Sequence, residues 1–144
     1  FGYVSRMDNL QAAILNYRIK KLPKIIKQRR ANADYYCSLL NNSNILLPSE
    51  ESNQFSTYHT FVIQSEKRDK IIKLLKENNI ETAIHYPIPI HLQPASKYLG
   101  YKFGDFPVTE EQSKNILTLP IHQYLTKSDI RQISELVQIA VSND

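Results

Sequence analysis

The sequence predicts an α/β fold in which helices come first, a small sheet layer follows, and one helix closes the chain. Three observations predict it. Near the start, Met7, Leu10, Ile14 and Tyr17 recur at helical spacing and give one apolar face. The run Thr57 to Gln64, TYHTFVIQ, is β-branched and aromatic, as a strand requires. Near the end, Ile130, Ile133, Leu136, Val137, Ala140 and Val141 form a second helical stripe.

The elements follow in order. Ser5-Arg6-Met7-Asp8 reads as a capping box, with Ser5 as N-cap and Asp8 reaching back. Pro23 suits the first turn of a new helix, so the chain is expected to bend near Leu22. That helix runs to Leu40 with Ile26, Ala33, Tyr36, Cys37 and Leu40 inward, and Asn41-Asn42-Ser43-Asn44 stops it. Ile45 to Leu47 is a short strand candidate, ended by Pro48, and Ser49 to Phe55 is a polar loop. After the strand at 57–64, Arg68 to Asn78 reads as a helix and Ile80 to His85 as the next strand. Thr109-x-x-Gln112 is a possible second capping box, opening a helix to about Leu117. Thr118 to Ile121 is a short extended piece, and Thr126-x-x-Asp129 is a third box. The chain divides into a helical segment, 1–42, and a small α/β domain, 43–144.

One stretch resists both periodicities. Ala83 to Pro107, AIHYPIPIHLQPASKYLGYKFGDFP, holds four of the seven prolines, two of the four histidines and two of the three glycines. Pro87 and Pro89 fix their own φ, remove two donors, and push Tyr86 and Ile88 towards extended backbone. The expectation is a stiff loop presenting His85, Tyr86, His91 and Gln93 at fixed angles, functional rather than disordered.

Composition narrows the classes. One cysteine, Cys37, excludes an intrachain disulfide framework and fits a reducing compartment. No apolar run approaches the ~20 residues of a membrane span, and no signal-peptide pattern opens the chain. The chain starts at Phe1 without a methionine, so the expectation is a soluble cytoplasmic piece of something longer. Net charge is +4, with seven cations in the thirteen residues from Arg18 to Arg30. That run could attract phosphates or nucleic acid, or form a solvated helix face. No aromatic residue interleaves it between Lys20 and Arg30, which argues against a nucleic-acid stacking platform.

Catalytic motifs are sparse. His85-x5-His91 suits neither a helical metal pair nor a zinc knuckle, so no metal is expected. There is no G-x-S-x-G elbow, and Cys37 on an apolar helix face is expected to be inert. Three glycines cannot make a Walker or dinucleotide fingerprint. His85 and His91 read equally as pocket hydrogen-bonders or as structural groups, whereas His59 and His122 read as structural.

Several motifs nevertheless match a known pattern. GYVSRMDNLQAAIL resembles the segment G-x-N-x-R-[ML]-D-x-[LI]-Q-A-A-x-L of the DegT/DnrJ/EryC1/StrS family, the nucleotide-sugar aminotransferases. RRANADYY (Arg29–Tyr36), YHTFVI (Tyr58–Ile63) and LTLPIHQYLT (Leu117–Thr126) are similar to further family segments. IHYPIPIHLQPASKYLGYKFGDFPVTEE, Ile84 to Glu111, looks like the family's most recognisable C-terminal signature. The match is in order over nearly the whole chain, which corresponds to about the last two-fifths of a member.

The resemblance implies the small C-terminal domain of a fold-type-I pyridoxal-phosphate transferase, with N-terminal helices before a small, mostly antiparallel sheet packed with helices. It implies a homodimer in deoxyamino-sugar or surface-polysaccharide biosynthesis, with residues 1–42 linking to the large domain and dimer region. The implied reaction moves an amino group, generally from glutamate, to a keto sugar on a nucleoside diphosphate, with pyridoxal 5'-phosphate as cofactor. Neither nucleic acid nor membrane is an expected partner. The Schiff-base lysine is expected upstream, so the isolated chain is expected not to transaminate. Where members carry a phosphate-contacting asparagine this chain has Val4, which loses a hydrogen bond worth roughly 1.5–3 kcal/mol. Cofactor anchoring is then expected either to be weaker or to fall to Ser5 or Arg6, towards the phosphate of the neighbouring subunit in this family. Arg6 reads equally as a partner of Asp8 or another helix carboxylate. The substrate side is expected to fall to His85, Tyr86, His91 and Gln93, the competing reading being that Pro87, Pro89 and Gln93 only shape the loop. Two rivals stand: a sugar dehydratase of the same family, with histidine replacing the lysine, and a non-catalytic binding or dimerisation module.

Overall fold

The computed structural model describes residues 6–41 and 43–142. Five α-helices are present among them: α1 (Asn9–Ile19), α2 (Leu22–Leu40), α3 (Arg68–Glu77), α4 (Pro107–Asn115) and α5 (Lys127–Ser142). Two strands, β1 (Phe61–Gln64) and β2 (Ile116–Leu119), pair antiparallel with Phe61 opposite Leu119 and Ile63 opposite Leu117. Single bridges extend this ribbon on both sides, Leu46 to Gln64 and Ala83 to Thr118. The layer is antiparallel throughout, as expected.

Strand alternation sets two faces. Phe61, Ile63, Leu117 and Leu119 are buried on the inner face. They share one core with Ala33, Tyr36 and Leu40 of α2, Ile71 and Leu75 of α3, and Ile130, Ile133 and Val137 of α5. The Tyr36 ring stacks on Phe61 at 4.9 Å. Helix α2 therefore packs into the same core as residues 43–142, across the boundary expected near residue 42.

The RRANADYY motif acquires a physical role here. Arg29 donates through Nη1 to the carbonyls of Tyr58, His59 and Ile121, each at 3.0 Å. Asn32 donates to the His122 carbonyl at 2.9 Å, and the Tyr36 hydroxyl to that of Pro120 at 3.0 Å. Arg30 forms a fork with Glu50 at 2.9 and 2.8 Å and lies over the Phe55 ring at 4.4 Å. Two of the seven clustered cations thus hold the fold together instead of forming only a solvated face.

Local signals decide most helix ends, with corrections. The Thr126–Asp129 box forms: the Thr126 hydroxyl donates to Asp129 Oδ2 at 2.7 Å, and the Asp129 amide donates back at 3.2 Å. Helix α3 ends at Glu77, and Asn79 adopts φ 60° while the Ile80 amide returns to the Leu75 carbonyl at 2.9 Å. That is a Schellman closure, completed by the apolar pair Ile80 and Leu75. The Thr109–Gln112 box does not form. Helix α4 starts at Pro107, two residues earlier, because proline fits the first turn without losing a bond, and it stops at Asn115. The strand expected over Thr57–Gln64 begins only at Phe61, since Tyr58 has φ 45°. The strands expected at Ile45–Leu47 and Ile80–His85 shrink to single bridges, cut short by Pro48 and by the prolines after Tyr86.

Helix α1 departs furthest from expectation. Ser5 lies outside the described residues, and Asp8 stands at the N-cap without a side-chain cap bond. None of its residues is buried, and Leu10 is 73 % exposed. The apolar stripe is present but has no layer against it.

Two outcomes follow for urea denaturation. Leu75→Ala should destabilise the chain by about 2–5 kcal/mol, whereas Leu10→Ala should stay within about 0.5 kcal/mol of wild type. The Arg30 guanidinium and the Ser56 amide hold the Glu50 carboxyl down from 4.5 to about 2. Its stabilisation is therefore complete above pH 4.5 and fades as pH falls towards 2. A Glu50→Gln chain should lack that acid-range loss in a pH series of denaturation midpoints.

Candidate active-site loop

The proline loop hangs from the outer face of the sheet. Thr118, opposite Val62, points away from the core side, and its backbone exchanges bonds of 3.2 and 2.7 Å with Ala83. His85 lies two residues beyond Ala83 and so returns to the same face. Its Nδ1 sits 2.9 Å from Thr118 Oγ1. Pro87 and Pro89 then carry the chain off the sheet edge into two 3-10 turns, Ile90–Leu92 and Pro94–Leu99.

The four expected substrate residues separate into two kinds. Tyr86 is 69 % exposed, with its ring edge-on to His85 at 5.6 Å. His91 is buried, with Nε2 3.0 Å from Glu110 Oε1 and its ring 4.8 Å from that of Phe106. Gln93 donates its amide to the Ile88 carbonyl at 3.3 Å, bracing the loop from within. His85 and Tyr86 therefore sit together at the surface, while His91 and Gln93 bond to the loop's own framework. Arg6 is exposed ahead of α1, and Ser5, its expected companion, lies outside the described residues.

Two residues that shape this loop were not singled out from sequence. Thr118 was legible only as a polar residue alternating with leucines in ILTLP. Glu110 lies in the first turn after Phe106-Pro107 and accepts from the Gly104 amide at 2.9 and 3.0 Å and the Phe106 amide at 3.3 Å. Burial pushes its carboxyl up. The bonds from Gly104, His91 and Phe106 outweigh that and leave it below the usual range.

Other features offer less chemistry. A groove of about 720 Å³ lies along Ile19, Leu22, Pro23, Ile26 and Phe55, away from the loop, and its Arg30 is committed to Glu50. Cys37 is half-buried, and burial raises its thiol, so little thiolate forms at neutral pH. His59 is exposed and contributes its carbonyl to Arg29, while His122 Nδ1 accepts from the Tyr124 amide at 3.2 Å. Among the described residues, no three His, Cys, Asp or Glu side chains are grouped to hold a metal. Among them also, no helix is long and apolar enough to cross a membrane.

A helix-backed antiparallel ribbon with a stiff aromatic loop over its outer face is a fold shared with part of solved DegT/DnrJ/EryC1/StrS aminotransferases. Residues 1–138 match the DegT/DnrJ/EryC1/StrS aminotransferase family, and the chain belongs to that family. It is 36% identical over 139 residues to the "Pleiotropic regulatory protein" of Geobacillus stearothermophilus, covering 94% of this chain and 37% of the relative. It is 35% identical over 136 residues to the dTDP-3-amino-3,6-dideoxy-alpha-D-galactopyranose transaminase of Aneurinibacillus thermoaerophilus, again 94% of this chain and 37% of the relative. The fold is similar to that of S. venezuelae DesV, solved with a ketimine intermediate. The TM-score is 0.92 at 30% identity, over 99% of this chain and 39% of that one. The chain thus spans well under half the length of these relatives.

Thr118→Val keeps the buried shape but removes the partner of His85 Nδ1. It should cost about 1 kcal/mol in urea denaturation and broaden the His85 ring resonance in an NMR spectrum, leaving the His91 resonance unchanged.

Proposed function

We propose that the chain serves as the C-terminal part of a cytoplasmic, homodimeric aminotransferase. It moves an amino group, generally from glutamate, to a keto sugar carried on a nucleoside diphosphate. The observation that carries this reading is the stiff loop with Tyr86 exposed beside His85, in a chain 35% identical to a dTDP-sugar transaminase. A phenol ring on backbone that Pro87 restricts presents a flat face and a hydroxyl, which suits stacking on a base or sugar and bonding to its hydroxyls.

Each expected residue takes a distinct part. Tyr86 meets the sugar nucleotide, and His85, oriented by Thr118, offers Nε2 beside it. His91 and Gln93 keep the mouth in shape through Glu110 and the Ile88 carbonyl. Pyridoxal 5'-phosphate supplies the electron sink for amino transfer. Of this chain's described residues, Arg6 suits it best: an exposed guanidinium before α1 can form a forked bond to a phosphate, with Ser5 as its neighbour in sequence. Within residues 1–42, exposed α1 leads towards the large domain and the dimer, while α2 packs into the core of the following residues.

The test uses the full-length gene product loaded with pyridoxal phosphate. Glutamate-dependent conversion of a nucleoside-diphosphate keto sugar to its amino sugar is expected. Tyr86→Ala should raise KM for the sugar nucleotide about tenfold, the loss of about 1.4 kcal/mol of binding. No conversion, together with no binding of the sugar nucleotide, would overturn the reading.

A further inference from the structure

Glu110 is 4% exposed, yet three donors from separate parts of the loop converge on its carboxylate. His91 arrives from the first 3-10 turn, and the Gly104 and Phe106 amides from the far limb. Around this hub the Phe106 ring packs between His91 at 4.8 Å and Tyr101 at 5.1 Å. Gly104 has φ 96°, a left-handed conformation that turns its amide inward and that a side chain would strain. The carboxylate also stands in the first turn of α4, where the helix dipole favours negative charge. Glu110 thus does for the whole loop what the glutamate of a capping box does for one helix end.

What the hub holds in place is aromatic and exposed. Tyr86, Tyr98, Tyr101 and Phe103 are 69%, 74%, 49% and 71% exposed along the limbs that converge on it. We propose that Glu110 is a positioning residue for sugar-nucleotide binding, clamping the two limbs of the 85–106 loop so that their exposed rings form a preorganised face. The inference rests on the aminotransferase reading and deepens it. A loop ordered before the ligand arrives does not lose that conformational freedom on binding, so the clamp acts on affinity. It leaves the chemistry with the amino donor untouched.

Glu110→Gln isolates the effect, because an amide is nearly the same shape but has one acceptor oxygen and turns a donor towards donors. In the full-length holoenzyme the two half-reactions are followed separately through cofactor absorbance. The variant should raise KM for the keto-sugar nucleotide at least about tenfold, with the glutamate half-reaction within about twofold of wild type. Hydrogen exchange at the Gly104 and Phe106 amides of the same protein should quicken. Equal losses in both half-reactions would reduce Glu110 to a residue of general stability and overturn the proposal, as would an unchanged KM. If wild type transfers no amino group while exchange still quickens in the variant, the substrate role falls and the clamp alone stands.

Discussion

The structure depends on the capture of backbone carbonyls by one face of α2. Arg29, Asn32 and Tyr36 lie at helical spacing and take the carbonyls of Tyr58, His59, Pro120, Ile121 and His122. Those carbonyls belong to the entry of β1 and the exit of β2, where no further strand satisfies them. Left unpaired in their partly buried positions, the carbonyls of Tyr58, Pro120, Ile121 and His122 would each cost about 1–3 kcal/mol. With them held, β1 and β2 cannot slip relative to α2, and the register Phe61–Leu119 is fixed. A slip of one residue in either strand would turn its inward pair outward, Phe61 and Ile63 in β1 or Leu117 and Leu119 in β2.

That register reaches the loop through Thr118. The residue belongs to the face opposite the core, pairs through its backbone with Ala83, and bonds His85 through its hydroxyl. A second constraint acts from the other end, where Glu110 draws His91, Gly104 and Phe106 together. Between the two, Pro87 and Pro89 leave little freedom, and Tyr86 is held out from the surface. Apart from its two 3-10 turns the loop is irregular, but fixed points at each end and within it give it order.

Membership of the DegT/DnrJ/EryC1/StrS family agrees with this division of labour. The segments that carried the resemblance are the ones with physical work in the fold. RRANADYY holds the sheet ends, YHTFVI supplies most of β1 and two of the five carbonyls that α2 takes, LTLPIHQYLT supplies most of β2 and the other three, and the long proline signature forms the loop with its glutamate clamp. Helix α1 is different. Its stripe of Leu10, Ile14 and Tyr17 is exposed, and its opening motif shapes nothing else among the described residues.

Periodicity and local chemistry in the sequence determined α2, α3 and α5, the inner apolar face, the Thr126–Asp129 cap and the existence of a stiff loop after Tyr86. These are short-range effects, written in residues within one or two turns of each other. Tertiary structure alone decided the rest. The Tyr58 backbone conformation cut β1 short, α1 was left bare, and His91 was withdrawn from the surface to Glu110. Those outcomes depend on groups far apart in sequence, such as Arg29 and Ile121 or His91 and Glu110. Which donor meets which acceptor follows from packing the elements, and no window of adjacent residues contains that information.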